Sequence, residues 1–191
     1  MKDNILAPSI VDRLAHLFGR READQTRESF ARLYDRAHLV VFRYIYGLSG
    51  GPVQDAEDLT AETFLRAWRA RERFTGDEEA AVGWLLQIAR RLVIDNYRRH
   101  RVRSDDGADA LVELPDRAGT PEELALAHEQ AALLGQLLHT LPVEQREMVV
   151  LRYLLGWRVM EIARHLGIPG NTVSVTLRRS LAKLRAGWKE K

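Results

Sequence analysis

The chain has 191 residues, 46% of them apolar and 29% charged, with 29 Lys and Arg against 27 Asp and Glu. That composition is globular and large enough for one domain or two small ones. The absence of cysteine excludes disulfides, thiolate metal sites and cysteine nucleophiles and fits a reducing compartment. No apolar run approaches the roughly 20 residues that span a bilayer, and the N-terminus lacks a signal-peptide layout. A cytoplasmic protein without membrane insertion is therefore expected.

In chain order, residues 1–25 carry Ile10, Leu14, Leu17 and Phe18 at helical spacing and read as an N-terminal extension, an accessory helix or loose arm. From Glu28, the apolar set Phe30, Leu33, Tyr34, Ala37, Val41, Tyr44 and Ile45 keeps a helical period to about Leu48, where Gly50, Gly51 and Pro52 stop it. The next helix has acids in its first two turns, Asp55, Glu57, Asp58 and Glu62, and bases later, Arg66, Arg69 and Arg71, a polarity that suits the helix dipole. Ala61, Phe64, Leu65 and Trp68 are its expected buried side, and Asp55, Asp58 and Glu62 share another. Residues 74–82 read as a loop. A long helix is expected from about Gly83 to Arg101, with Trp84, Leu85, Ile88 and Leu92 inward and Arg90, Tyr97 and Arg101 outward, Arg98 beside them.

Composition changes after Arg103. Residues 104–119 hold Asp105, Asp106, Asp109, Glu113 and Asp116 with little helical period, and read as an acidic flexible linker. Thr120-Pro121-Glu122-Glu123 is a capping box that restarts helix, and Leu124, Ala127, Ala131, Leu134 and Leu138 mark a buried stripe. Leu141-Pro142 turns the chain into another helix that ends near Leu155, ahead of Gly156. With no convincing alternation of a strand anywhere, the expected fold is all-α: two small helical domains, 26–103 and 120–191, joined by the linker 104–119.

The last two helices have the most specific layout. Ile162, Ala163 and Leu166 give one apolar face, Gly167 supplies the turn, and Ile168 plugs it. Pro169 and Asn171 mark the next start, and Val173, Leu177, Leu181 and Leu184 form the inner face of a second helix. Thr172, Val175 and Arg179 then point outward, flanked by Asn171, Ser174 and Arg178. This is the spacing of a helix-turn-helix whose outer face is polar and basic, although a plain helical hairpin with a solvated face shares that spacing. Charge favours a polyanion partner: from Arg152 to Lys191 there are nine Lys or Arg and two Glu, a net of +7 in a chain of only +2.

Catalytic signatures are missing. The six histidines lack metal-ligand spacing, there is no phosphate loop and no nucleophile elbow, and the acids at 55–62 have no accompanying base. Neither an enzyme nor a cofactor or metal site is expected.

Together these stretches resemble the extracytoplasmic-function sigma factors of bacterial RNA polymerase. DAEDLTAETFLRAWRARERF at 55–74 is similar to the family's polymerase-binding segment. WLLQIARRLVIDNYRRHRVR at 84–103 resembles its minus-10 helix, and LPVEQREMVVLRYLLGWRVMEIARHLGIPGNTV at 141–173 its minus-35 reader. The resemblance implies that Asp55, Glu57, Asp58 and Glu62 meet a coiled coil of the polymerase's largest subunit. It implies that Phe74, Arg90, Tyr97, Arg98 and Arg101 meet the minus-10 element, with the loop from Phe74 holding an unstacked base. Asn171, Thr172, Ser174, Val175, Arg178 and Arg179 would meet the minus-35 element. Expected partners are core RNA polymerase, promoter DNA and an anti-sigma factor; the alternatives are a stand-alone helix-turn-helix regulator and a protein adaptor of the same fold. Two departures stand out. Ala61 occupies a position where the family often has glutamine, and Ser174 and Thr176 replace basic residues, which implies fewer phosphate contacts and weaker salt dependence.

Overall fold

The computed structural model describes residues 10–103 and 133–189, with side chains for residues 26–78, 80–99 and 133–189. The expected linker at 104–119 and the capping box at Thr120 lie outside the described residues. Every described element is a helix. In order they are α1 (Ile10–Ser49), α2 (Val53–Ala70), a 3-10 turn (Arg71–Arg73), α3 (Glu78–Arg103), the helical segment α4 (133–139), α5 (Val143–Val149), α6 (Val159–Leu166) and α7 (Gly170–Lys189). The chain divides into two compact units between Ala37 and His38.

The first unit is the leading part of α1. The helix runs unbroken from Ile10 to Ser49, and residues 20–27 contain neither proline nor glycine to interrupt it. Residues 26–29 are exposed, and Arg32 donates to Ser29 Oγ at 3.1 Å.

The second unit, His38–Lys191, holds everything else. Its first three helices pack as a bundle. Val41, Tyr44, Ile45 and Leu48 of α1 are buried. So are Leu59 and Phe64 of α2, and Leu85, Leu86, Leu92 and Val93 of α3. Gly50 ends α1 as expected, in a left-handed conformation at φ +57° that lets its N–H reach Tyr46 O at 2.9 Å.

The inner face of α2 differs from the expected one. Ala56, Leu59, Thr60, Thr63, Phe64 and Ala67 are buried, whereas Ala61 and Leu65 are exposed and Trp68 is half-buried. The period is right and the phase is rotated. Two threonines fill the stripe because each hydroxyl donates to the carbonyl one turn back, Thr60 to Ala56 O at 2.6 Å and Thr63 to Leu59 O at 2.7 Å, leaving only a methyl to pack. Trp68 is instead covered by the Arg71 guanidinium, 4.0 Å from its ring centre.

Helix α3 also begins earlier than expected, at Glu78 instead of Gly83. Asp77 caps it, its carboxylate accepting from the Ala80 N–H at 2.8 Å, and acidic residues in the first turn complement the dipole.

In the later helices, Leu137, Leu141, Met148, Val149, Val150, Leu151, Ile162, Ala163, Val173, Leu177 and Leu184 form the core. Pro142 opens α5 by accepting from Gln145 and Arg146 N–H. The helix widens into a π-turn over Val150–Leu154, with Leu155 N–H bonding to Val150 O, and Gly156 at φ +76° ends it. The helix-turn-helix is realised as the spacing implies. Gly167 is left-handed at φ +67°, Ile168 N–H reaches back to Ala163 O at 3.0 Å, and Pro169 O receives Thr172 and Val173 N–H to start α7. Buried Ser180 takes a place on the inner face beside Leu177 and Leu184, while Leu181 is only half-buried.

Candidate nucleic-acid interface

Three surfaces contain the residues expected to act. On α2, Glu57 and Asp58 are exposed and Asp55 is half-buried. Glu62 is tied to its own helix by Arg66 at 2.6 Å, an i, i+4 pair, so Asp55, Glu57 and Asp58 retain most of the outward negative charge.

On the loop before α3, the Phe74 ring stacks on Trp84 with centroids 4.7 Å apart and planes 22° from parallel. Gly76 allows this: a Cβ there would fall 2.6 Å from the Phe74 ring. Phe74 is therefore a half-buried prop that shapes the loop, and Trp84 is its platform.

On α7, Asn171, Thr172, Ser174, Arg178 and Arg179 are all exposed and Val175 is half-exposed. That is the outward face inferred from the helical period. Glu161 accepts from the Arg158 backbone N–H at 2.6 Å and fixes the start of α6, so the supporting helix is capped and the reading helix is rigidly presented.

The outer face of α3 divides. Tyr97 and Arg98 are exposed, as expected; the side chain of Arg101 lies outside the described residues. Arg90 does not point into open solvent. Its Nε donates to Glu147 Oε2 of α5 at 2.8 Å, and Tyr44 of α1 donates its hydroxyl to the other oxygen, Glu147 Oε1, at 2.7 Å. The Glu147 side chain is 1% exposed, so this carboxylate is held by a cation and a hydroxyl from the first three helices. Burial, reinforced by the adjoining carboxylate, pushes the Tyr44 phenol well above its usual range, keeping it a donor; the hydrogen bond to Glu147 likewise raises Arg90.

Neighbouring Arg146 makes a second tie. Only 5% exposed, it donates to Leu48 O at the end of α1 (2.8 Å) and to Leu138, His139 and Leu141 O (3.0–3.2 Å). One buried guanidinium thus satisfies the last carbonyls of α1 and of α4. Around these ties the backbones come close: a Cβ on Gly47 of α1 would meet Val150 at 3.0 Å and Leu154 at 3.1 Å.

Beside the Glu147 contact opens a cleft of about 420 Å³ lined by Gln87, Arg90 and Arg91 of α3, Glu144 of α5, His165 of α6 and Thr172 of α7. His165 stands edge-on to Trp157 (5.1 Å, 87°), and burial depresses its pKa. Among the described residues no group of His, Asp and Glu is arranged to hold a metal ion.

Arg146 and Glu147 escaped the sequence reading. The signal was the unbroken apolar run Met148-Val149-Val150-Leu151 directly after these two charges, which leaves the segment no polar stripe; the structure buries residues 146–151 without a break.

The model of Sigma-70 region 2 matches residues 33–103, and that of Sigma-70, region 4 matches residues 131–184. The ECF RNA polymerase sigma factor SigL of Mycobacterium tuberculosis is 35% identical over 83% of this chain and 88% of its own length. The chain belongs to the extracytoplasmic-function sigma factors. BldN of Streptomyces coelicolor, another such factor, is 37% identical over 81% of this chain, which spans 58% of BldN. Among solved structures, the sigma factor RpoE in complex with the anti-sigma factor NepR from Bartonella quintana shares the fold, with TM-score 0.67 at 21% identity, over 85% of this chain and 98% of that one. CnrH in complex with the cytosolic domain of CnrY gives TM-score 0.63 at 25% identity, over 92% and 97%. In this sigma factor, then, α1 from residue 33 onward, α2 and α3 fall in region 2, and the helix-turn-helix falls in region 4. Among the described residues no helix is long and apolar enough to cross a membrane.

Proposed function

We propose that this sigma factor docks on core RNA polymerase through Asp55, Glu57, Asp58 and Glu62, opens the minus-10 element with the α3 face and its preceding loop, and reads the minus-35 element with α7. The observation that carries the reading is the outer face of α7. Asn171, Thr172, Ser174, Arg178 and Arg179 project together from a capped helix-turn-helix, in the stretch 152–191 whose net charge is +7.

Each surface suits its task physically. Carboxylates on α2 favour a basic partner and speed its approach. Tyr97 and Arg98 combine an aromatic face with charge, the pairing that follows a phosphate backbone while bases unstack. Val175 suits a thymine methyl, and Arg178 suits a guanine edge. With few basic residues on α7, promoter affinity is shared among region 2, region 4 and the enzyme. The domain limits that fit this division are 26–103 and 120–191, with the acidic stretch 104–119 between them. The protein works in the cytoplasm, beside the polymerase, and is restrained there by an anti-sigma factor, as its structural neighbours RpoE and CnrH are found in complexes with NepR and CnrY.

Run-off transcription with purified core enzyme tests the reading. Initiation at a promoter that core alone ignores, only when this protein is added, is the expected result. A footprint on an isolated palindrome without polymerase would replace it with a stand-alone regulator.

A further inference from the structure

The cleft beside Glu147 has the make-up of a small-molecule site. Its volume of about 420 Å³ falls within the span of ligand pockets, roughly 300 to 1,000 Å³. Part of its lining is apolar. Met148 is buried there, while Leu166 and Ile168 are only half-buried and so retain carbon surface for an occupant. The rest is polar, with Gln87, Arg91, Glu144 and Thr172 all exposed. The surrounding structure also leaves a polar atom unmatched: His165 Nε2 is buried without a hydrogen-bond partner, which folded interiors rarely tolerate.

Charge decides what such a cleft can hold. Arg90 is taken up by Glu147 at 2.8 Å, and Glu144 adds its field to the same guanidinium. Arg91, the next residue along α3, forms no ion pair among the described residues. Burial depresses His165, which keeps its ring uncharged near neutral pH. The two arginines and two glutamates of the lining therefore cancel, and a doubly charged group such as a phosphate monoester finds no net attraction. A single carboxylate needs only Arg91, whose planar fork can pair with both of its oxygens.

We propose that the cleft binds a small organic monocarboxylate with an apolar body, the carboxylate on Arg91 and the body against Met148, Leu166 and Ile168. The Met148 thioether adapts its shape to the occupant, and Gln87 and Thr172 supply hydrogen bonds that orient it. Thr172 also belongs to the face assigned to the minus-35 element, so an occupant competes with promoter reading. That consequence rests on the assignment of α7; the site itself does not.

Phenylacetate is the probe. Phenylacetamide keeps its ring and removes the charge, and acetate keeps the charge and removes the ring. Amide proton–nitrogen correlation spectra of the full chain follow each titration at neutral pH and constant ionic strength, without DNA or polymerase. Phenylacetate should bind saturably with a Kd of about 1 mM, as suits roughly ten non-hydrogen atoms. Its shifts should centre on Gln87, Arg91, His165, Ile168 and Thr172. Phenylacetamide and acetate should each bind about tenfold more weakly, and so should phenylacetate to Arg91→Gln. Arg91 is exposed, so that variant keeps the fold, and the same spectra check it.

Absence of saturation overturns the site, as does equal affinity for phenylacetate and its amide, or unchanged affinity in Arg91→Gln. Acetate that binds as tightly as phenylacetate also overturns it, because the apolar lining then contributes nothing. Competition is read separately. Added to the sigma factor before core enzyme and promoter, phenylacetate should lower the run-off yield, with half-effect at about tenfold higher concentration for Arg91→Gln. Saturable binding with an unchanged run-off yield removes the competition, and with it the role of Thr172 in promoter reading, while the site stands.

Discussion

Tyr44 and Glu147 stand 103 residues apart in the chain and 2.7 Å apart in the fold. The hydroxyl of one and the carboxylate of the other are both buried, in helices that belong to different family regions. Burial without a partner would be costly for either, so each accounts for the other's presence in the core.

The same reasoning predicts the consequence of removing Arg146. Its guanidinium uses all but one of its N–H donors on backbone carbonyls from two helix ends. Arg146→Met keeps most of the stem and strands those carbonyls. Urea denaturation should show a loss of about 3 kcal/mol, and Arg146→Lys should recover only part of it, since an ammonium cannot span the same fork.

Reversing charge on α2 should separate docking from folding. Asp58 is exposed and Asp55 half-exposed, and neither forms an ion pair among the described residues. Asp55→Lys with Asp58→Lys should leave the unfolding midpoint near wild type and weaken core binding in a pull-down, more so at low salt. Unchanged retention on core enzyme would remove these residues from the docking face.

On α7, Arg178→Ala should weaken binding to the upstream element by about 1 to 3 kcal/mol if the guanidinium pairs with a base edge, and should relax specificity there. Footprinting the holoenzyme over both elements distinguishes this from a phosphate contact, which weakens binding to all sequences alike.

Acidification should loosen the second unit. Burial, followed by repulsion from Arg90, lowers the His165 pKa from 6.5, with the Glu147 carboxylate opposing; burial and Arg146 lower that of His139. A histidine depressed in the folded state binds its proton more readily when unfolded. The contribution of each is therefore complete above pH 6.5 and is lost as pH falls from 6.5 through the folded value. Urea midpoints between pH 8 and pH 5 should decline in that window, and His165→Gln should flatten the decline.

Much of this was readable in advance. The stop at Gly50, the left-handed turn at Gly167 and the inner face of Val173, Leu177 and Leu184 all followed from local chemistry and a 3.6-residue period. The outward face of α7 followed as well, because a helix with one buried stripe must expose the opposite one. The inner face of α2 did not. Thr60 and Thr63 count as polar until their hydroxyls are seen bonded to Ala56 and Leu59, which makes them suitable for a core. The start of α3 was also missed, since capping by Asp77 depends on backbone geometry.

What the sequence determined by itself was therefore the helices, their caps, the helix-turn-helix and the family to which the chain belongs, since these depend on residues near one another in the chain. What tertiary structure alone decided was the destination of Arg90. Helical period placed it outward, beside Tyr97, but the period describes a helix and not its neighbours. Only the fold brings Glu147 to within 2.8 Å, because a contact between residues 57 positions apart leaves no local pattern in the sequence.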